Sequence, residues 1–125
     1  MIDHLAVDVS DIARSRRFYE AALAPLGYRV LSEQSGEGGS VVLFSDGGEP
    51  DFIIAHKDRP AEATHIAFRA ASRAMVDTFH AAALKAGGRD NGPPGLRPDY
   101  GPTYYAAFVL DPDGFNIEAV CHGPA

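Results

Sequence analysis

The sequence predicts an α+β fold, two βαβββ modules whose curved mixed sheets form a cleft, within a single domain of 125 residues. Three observations predict it. The opening His4-Leu5-Ala6-Val7-Asp8-Val9 returns as His65-Ile66-Ala67-Phe68-Arg69-Ala70, 61 residues further on. The register persists, pairing Phe18 with Phe79, Ala22 with Ala83, Leu23 with Leu84 and Gly27 with Gly88. A run of matches in one register argues for two copies of one unit. In both halves a strand is followed by a helical pattern and then by short strands separated by Gly-rich turns. Finally, Asp111-Pro112-Asp113-Gly114 is a strong hairpin signal, which makes the last two strands antiparallel.

Each element has its own reason. Ile2 to Val9 alternates, with Leu5, Val7 and Val9 on one face and His4, Ala6 and Asp8 on the other. Ser10-Asp11 opens a helix, Ser10 as the cap and Asp11 at the positive end of the dipole. That helix runs to about Leu23 with Ile12, Phe18, Tyr19, Ala22 and Leu23 inward and Arg14, Arg16 and Arg17 largely outward. Pro25 and Gly27 end it. Tyr28–Leu31, Val41–Phe44 and Phe52–Ala55 read as a three-strand meander, turned at Gly36–Gly39 and Ser45–Pro50. A polar connector, Lys57 to Ala63, separates a first module over 1–57 from a second over 64–122. In the second, Thr64–Ala70 is a strand. Ser72 then caps a helix to about Ala86, with Met75, Val76, Phe79, Ala83 and Leu84 inward, and Gly87-Gly88 stops it. A short strand near Arg89–Asn91, a long loop from Gly92 to Pro102, and strands at Tyr104–Leu110 and Phe115–Cys121 complete the chain.

The composition excludes several classes of function. A net charge of −6 is the wrong sign for nucleic acid or for an anionic membrane surface. No apolar run reaches the length of a membrane span, and the N-terminus has no signal-peptide pattern. The single cysteine, Cys121, cannot close an internal disulfide, which suits a reducing compartment and so a cytoplasmic protein. It shares the face of Ile117 and Ala119, so it is expected to pack in the core.

Chemistry concentrates at His4, His65 and Glu118. The two histidines hold equivalent places in the repeat. Glu118 shares the inward face of the last strand with Asn116 and Val120, and a bare buried carboxylate is costly without a cation or donors. Two imidazoles and one carboxylate suit a divalent first-row ion. Taken singly, each has an ordinary reading: a lone histidine is usually a surface or core residue, and a lone glutamate is usually solvated.

The paired modules, the His-x-Ala-Val opening followed by Arg14-Ser15-Arg16-Arg17-Phe18-Tyr19, and the ending Asp111-Pro112-Asp113-Gly114-Phe115-Asn116-Ile117-Glu118 resemble the vicinal oxygen chelate superfamily. That superfamily takes in glyoxalase I, extradiol dioxygenases, fosfomycin-resistance thiol transferases, methylmalonyl-CoA epimerases and metal-free bleomycin-binding proteins. The resemblance covers nearly the whole chain. It implies a metal held by His4, His65 and Glu118, a small-molecule substrate with vicinal oxygens, and a homodimer, which would also cover open sheet edges. Nitrogen and oxygen ligands suit Fe, Mn, Ni, Co or Zn alike.

The sequence departs from glyoxalase I at the fourth ligand. Aligning Phe52 with Phe115 sets Ala55 opposite Glu118, and alanine cannot bind metal. His56 is adjacent but belongs to the other face of a regular strand. Three ligands favour dioxygenase-like or thiol-transferase-like chemistry over a glyoxalase, which needs a carboxylate base beside the metal. His56 is the one further histidine placed to act as acid or base. Arg69 shares the face of His65 and is a candidate for an anionic substrate group, or for a salt bridge to Asp8. The loop Gly95–Pro102 carries Arg97 and Tyr100 and reads as a lid or binding loop. Tyr104 and Tyr105 alternate, so one should face the cavity as a catalytic or substrate-binding residue while the other packs in the core. The rival function is a metal-free protein that sequesters an aromatic or drug-like molecule.

Overall fold

In the computed structural model, which describes residues 3–36, 39–56 and 64–124, each half of the chain forms a strand, a helix and three more strands. The first half comprises β1 (Leu5–Asp8), α1 (Ile12–Leu23), a 3-10 turn at Ala24–Leu26, β2 (Arg29–Gly36), β3 (Gly39–Ser45) and β4 (Phe52–His56). The second comprises β5 (His65–Arg69), α2 (Arg73–Lys85), β6 (Arg89–Leu96), β7 (Tyr105–Leu110) and β8 (Asn116–Cys121). Two four-stranded sheets result, ordered β1-β4-β3-β2 and β5-β8-β7-β6. In each, the first strand runs parallel to the last and the remaining pairs are antiparallel. Ile2, part of the Gly36–Gly39 turn and the Lys57–Ala63 connector lie outside the described residues.

One face of each sheet is apolar and carries the helix. Val7, Phe44, Phe52 and Ile54 in the first sheet join Phe68, Val109 and Ile117 in the second, around Phe18, Tyr19, Leu23, Val76 and Phe79 from the helices. The two helix-bearing faces meet. The Phe52 and Phe68 rings pack edge to face with centres 5.1 Å apart, and Tyr28 meets Phe68 at 5.5 Å. Both opposite faces are helix-free and look out of this shared core. Cys121 is buried in the core.

The Asp-Pro-Asp-Gly hairpin clasps the two modules together. Asp111 accepts from the Tyr19 hydroxyl of α1 at 2.5 Å and from the backbone N–H groups of Asp113 and Phe115. Asp113 accepts from the backbone N–H and hydroxyl of Ser10, with Arg14 nearby at 3.7 Å. Ser10 therefore serves the clasp, and the cap of α1 is Asp11, whose side chain accepts from the Arg14 N–H at 3.0 Å. This corrects the expectation that Ser10 caps α1. Ser72 does cap α2.

Other boundaries differ for physical reasons. β6 continues to Leu96, beyond the expected Asn91, and takes in part of the expected Gly92–Pro102 loop. It is an edge strand, so Pro93 and Pro94 can occupy it without depriving a neighbour of a hydrogen bond, and the register shifts around Gly92 and Gly95 absorb them. β2 likewise extends to Gly36 through pairing with β3. Leu84 is partly exposed, at 38%, rather than inward, because close packing passes through its neighbour Ala83, and successive helix residues point about 100° apart.

Candidate functional site

The helix-free face of the second sheet gathers most of the predicted site. Parallel pairing sets Ala67 beside Glu118, and β7 sets Phe108 on its other side. Alternation then turns His65, Arg69, Glu118, Phe108 and Tyr104 to this face. Glu118 is 2% exposed, yet both its oxygens are engaged. The Tyr104 hydroxyl donates to Oε1 at 2.5 Å, and His65 Nε2 lies 3.1 Å from Oε2. Tyr104 can lie back across the strand to reach Glu118 because the position between them on its own strand is the small Ala106.

The orientation of His65 is informative. Its Nδ1 lies 3.0 Å from the Asn116 carbonyl oxygen. A carbonyl only accepts, so Nδ1 carries a proton and donates. In the neutral ring Nε2 then presents a lone pair, aimed at a carboxylate oxygen. Two acceptors at this distance need something positive: a second ring proton, or a cation bound by both. The nitrogen–oxygen pair is of a kind that would suit a divalent metal, with the Asn116 carbonyl fixing the tautomer that leaves Nε2 free to bind.

Burial, and then the hydrogen bond to Glu118, push the Tyr104 hydroxyl up to about 12. At neutral pH it is a protonated phenol, able to donate but not to act as a base.

His4 is elsewhere. It stands just before β1, in step with Ala6 and Asp8 on the helix-free side of the first sheet, with its Nδ1 2.7 Å from Asp3. Among the described residues, no group of three histidine, cysteine, aspartate or glutamate side chains converges within one chain. His56 points to the helix side of its sheet, its ring nitrogen 3.0 Å from the Val9 carbonyl oxygen. Tyr105 also faces away, donating to Asp77 of α2 at 2.7 Å beneath Arg73. Tyr104 is thus the tyrosine of the pair on the site side. Tyr100 packs edge-on against it at 5.3 Å and is well exposed. Arg69 stands exposed next to Val120 on the same face, with no ion pair among the described residues. Arg97 lies over Phe108, its Cζ 5.4 Å from the ring centre.

Strand pairing also corrects the fourth-ligand alignment. Leu5 pairs with Phe52 and Ile66 pairs with Ile117, and the repeat equates Leu5 with Ile66. The counterpart of Glu118 is then Ile53, while Ala55 corresponds to Val120. Matching the two phenylalanines displaced the alignment by two residues, which preserves the face and so hides the error. The corrected residue is apolar as well.

Two contributors escaped the sequence reading. Phe108 stacks near His65, with ring centres 6.3 Å apart, and alternation from Tyr104 could have found it. His122 packs edge-on against Tyr104 at 5.2 Å. The hairpin register that sets Tyr105 opposite Cys121 puts it there. A separate groove of about 260 Å³ lies on the helix side of the first sheet, between α1 and β2–β3, and is spanned by an Arg16–Glu33 ion pair. Its lining residues all belong to α1, β2 and β3.

Residues 1–119 match the family described as Glyoxalase/Bleomycin resistance protein/Dioxygenase superfamily. A glyoxalase/bleomycin resistance protein from Albidiferax ferrireducens T118 is 28% identical with a TM-score of 0.75, over 97% of each chain. A glyoxylase/bleomycin resistance protein/dioxygenase domain from Frankia sp. EAN1pec is 20% identical with a TM-score of 0.74, over 97% of this chain and 96% of that one. Glyoxalase I from Zea mays is 20% identical with a TM-score of 0.70, over 95% of this chain but 45% of that one, so this chain spans about half its length. These last two likenesses show the fold alone. No curated protein matches.

Proposed function

The chain belongs to the Glyoxalase/Bleomycin resistance protein/Dioxygenase superfamily, and from that premise we propose that it is a metal-dependent enzyme acting on a small molecule with vicinal oxygens. The observation that carries this reading is the approach of His65 Nε2 to Glu118 Oε2, with the other ring nitrogen committed to the Asn116 carbonyl. The third ligand is His4 of a second copy. Within one chain the two helix-free faces look out of a shared core, so a second molecule is needed to bring a His4 face against a Glu118 face.

A divalent ion held there supplies Lewis acidity to two neighbouring substrate oxygens. The chain's own residues do the rest. Asn116 holds the His65 ring in one tautomer. Tyr104 holds Oε1 of Glu118 and leaves Oε2 turned to His65. Its single O–H is committed to Oε1, so Tyr104 acts as a positioning residue for the carboxylate. Phe108 gives the substrate an apolar floor. With Ile53 in place of a second carboxylate there is no base opposite Glu118, which favours dioxygenase-like or thiol-transferase-like chemistry over that of a glyoxalase.

A second reading draws on the same contacts. Both oxygens of Glu118 already have protein partners, so this face could hold an aromatic ligand without metal, as a sequestering protein. Elemental mass spectrometry of protein purified without chelator separates the two. The enzyme reading expects about one transition ion per chain, largely lost in Glu118→Gln. Wild-type protein that stays metal-free after soaking in Fe, Mn, Ni, Co and Zn overturns it and leaves the sequestering role.

A further inference from the structure

Arg97 is held in an unusual seat. Its guanidinium lies along the helix-free face of β6, above two glycines. A Cβ added to Gly95 would come within 3.1 Å of Nη1, and one added to Gly92 would come within 3.2 Å of Nη2 and 3.0 Å of the Phe108 ring. A side chain at either position would be tighter than ordinary contact, and the guanidinium would have to give way by a few tenths of an ångström. Nη2 donates to the Pro93 carbonyl at 2.7 Å, while the contact from Nη1 to the Leu96 carbonyl is long at 3.5 Å. No carboxylate pairs with Arg97 among the described residues, although the chain carries 17 acidic residues and only 11 lysines and arginines. A guanidinium has five N–H donors in a fixed fork. Most of them are left for something outside the chain.

Its position relative to the Glu118 group sets what that is. Phe108 lies between them, its ring centre 6.3 Å from that of His65 and 5.4 Å from Arg97 Cζ. One small molecule can therefore touch His65 and Arg97 together, with a flat apolar body against Phe108. The planar fork of arginine suits a two-oxygen anion. We propose that Arg97 is the oxyanion-recognising residue of this face, and that its ligand is a small flat organic anion whose carboxylate or phosphoryl group sits on Arg97 and whose body covers Phe108. This rests on the reading that the Glu118 face binds a small molecule, and it names the class of that molecule.

The test is an amide NMR titration of the whole chain with benzoate, with neutral benzamide of the same shape, and with inorganic phosphate. Benzoate is expected to shift the Gly92 and Gly95 signals. Its dissociation constant should rise about tenfold or more in Arg97→Gln, the scale of a lost charge-assisted bond. Benzamide should bind weakly and be indifferent to the substitution. Phosphate shifts lost in Arg97→Gln would support a phosphoryl ligand, and benzoate shifts without phosphate shifts a carboxylate. Arg97→Lys, which keeps the charge but loses the planar two-donor fork, should weaken benzoate too and guards against a misfolded Arg97→Gln variant. Equal binding of benzoate and benzamide, or benzoate affinity unchanged in both variants, overturns the proposal. Metal content measured on the same samples keeps the two readings apart. Arg97-dependent benzoate binding in wild type that takes up no metal even after soaking in each ion leaves this inference standing and fells the metal reading. A metal-loaded protein indifferent to both variants does the reverse.

Discussion

Glu118 is a carboxylate in the interior of an apolar strand, and its cost there is offset by the Tyr104 hydroxyl on Oε1 and by the positive species, a proton or a cation, that must lie between Oε2 and His65 Nε2. Tyr104 is the partner whose removal is cleanest. In Tyr104→Phe the ring keeps its packing against Tyr100 and His122, while Oε1 loses its only donor among the described residues. The variant is expected to be destabilised by about 1–3 kcal/mol, read as a lower urea midpoint with an unchanged slope. Stability equal to wild type would show that Oε1 does not depend on Tyr104. Alternation put Tyr104 and Tyr105 on opposite faces, but nothing in the sequence said which face was which. The choice is made by Asp77 and Arg73 of α2, which claim Tyr105, and tertiary partners of that kind are not written into a strand pattern. Arg97 was visible as a residue but not as a seated cation, because its seat depends on two glycines and on an edge strand that continues through two prolines.

At the scale of elements, both helices and all eight strands were legible, since periodicity and turn residues carry that information. Ends were less so. β2 and β6 are edge strands whose full lengths come from pairing with β3 and β7 rather than from local propensity. Register was the subtler loss. A two-residue slip keeps every side chain on its own face, so Ala55 looked as good a counterpart of Glu118 as Ile53 does. The strand pairing makes a prediction that the sequence alignment does not. Ile53→Glu should add a carboxylate at the place equivalent to Glu118 and tighten metal binding, measured by competition with a chelator. Ala55→Glu should not. The opposite ranking would show that the equivalence through Leu5 and Ile66 is wrong.

Across the whole molecule, the Asp111–Asp113 clasp ties the hairpin of the second module to α1 of the first. Burial raises the Asp111 carboxyl above its ordinary value, against the pull of its three donors. The folded protein therefore takes up this proton at higher pH than the unfolded chain does. Asp111 then adds stability as the pH falls through its raised value and loses that contribution as the pH rises again. Replacing it by Asn removes this term. As the pH falls from neutral toward the ordinary carboxylate range, the stability of wild type relative to Asp111→Asn should shift in favour of wild type, measured by urea unfolding at each pH. Parallel pH profiles would show that Asp111 has no such shift. The clasp also fixes the helix-bearing faces together, which is why the two helix-free faces look outward and a second copy is invoked to complete the site.

That completion is the central claim, and mixing tests it most directly. His4→Ala and Glu118→Gln proteins are each freed of metal, mixed under conditions that exchange subunits, and assayed for bound ion. Each variant alone should hold little metal. Every mixed dimer should contain one intact site, built from the unaltered His4 of one chain and the His65 and Glu118 of the other, so binding should return on mixing. If the mixture stays as empty as its parents while wild type loads fully, or if His4→Ala alone binds as wild type does, the shared site is contradicted.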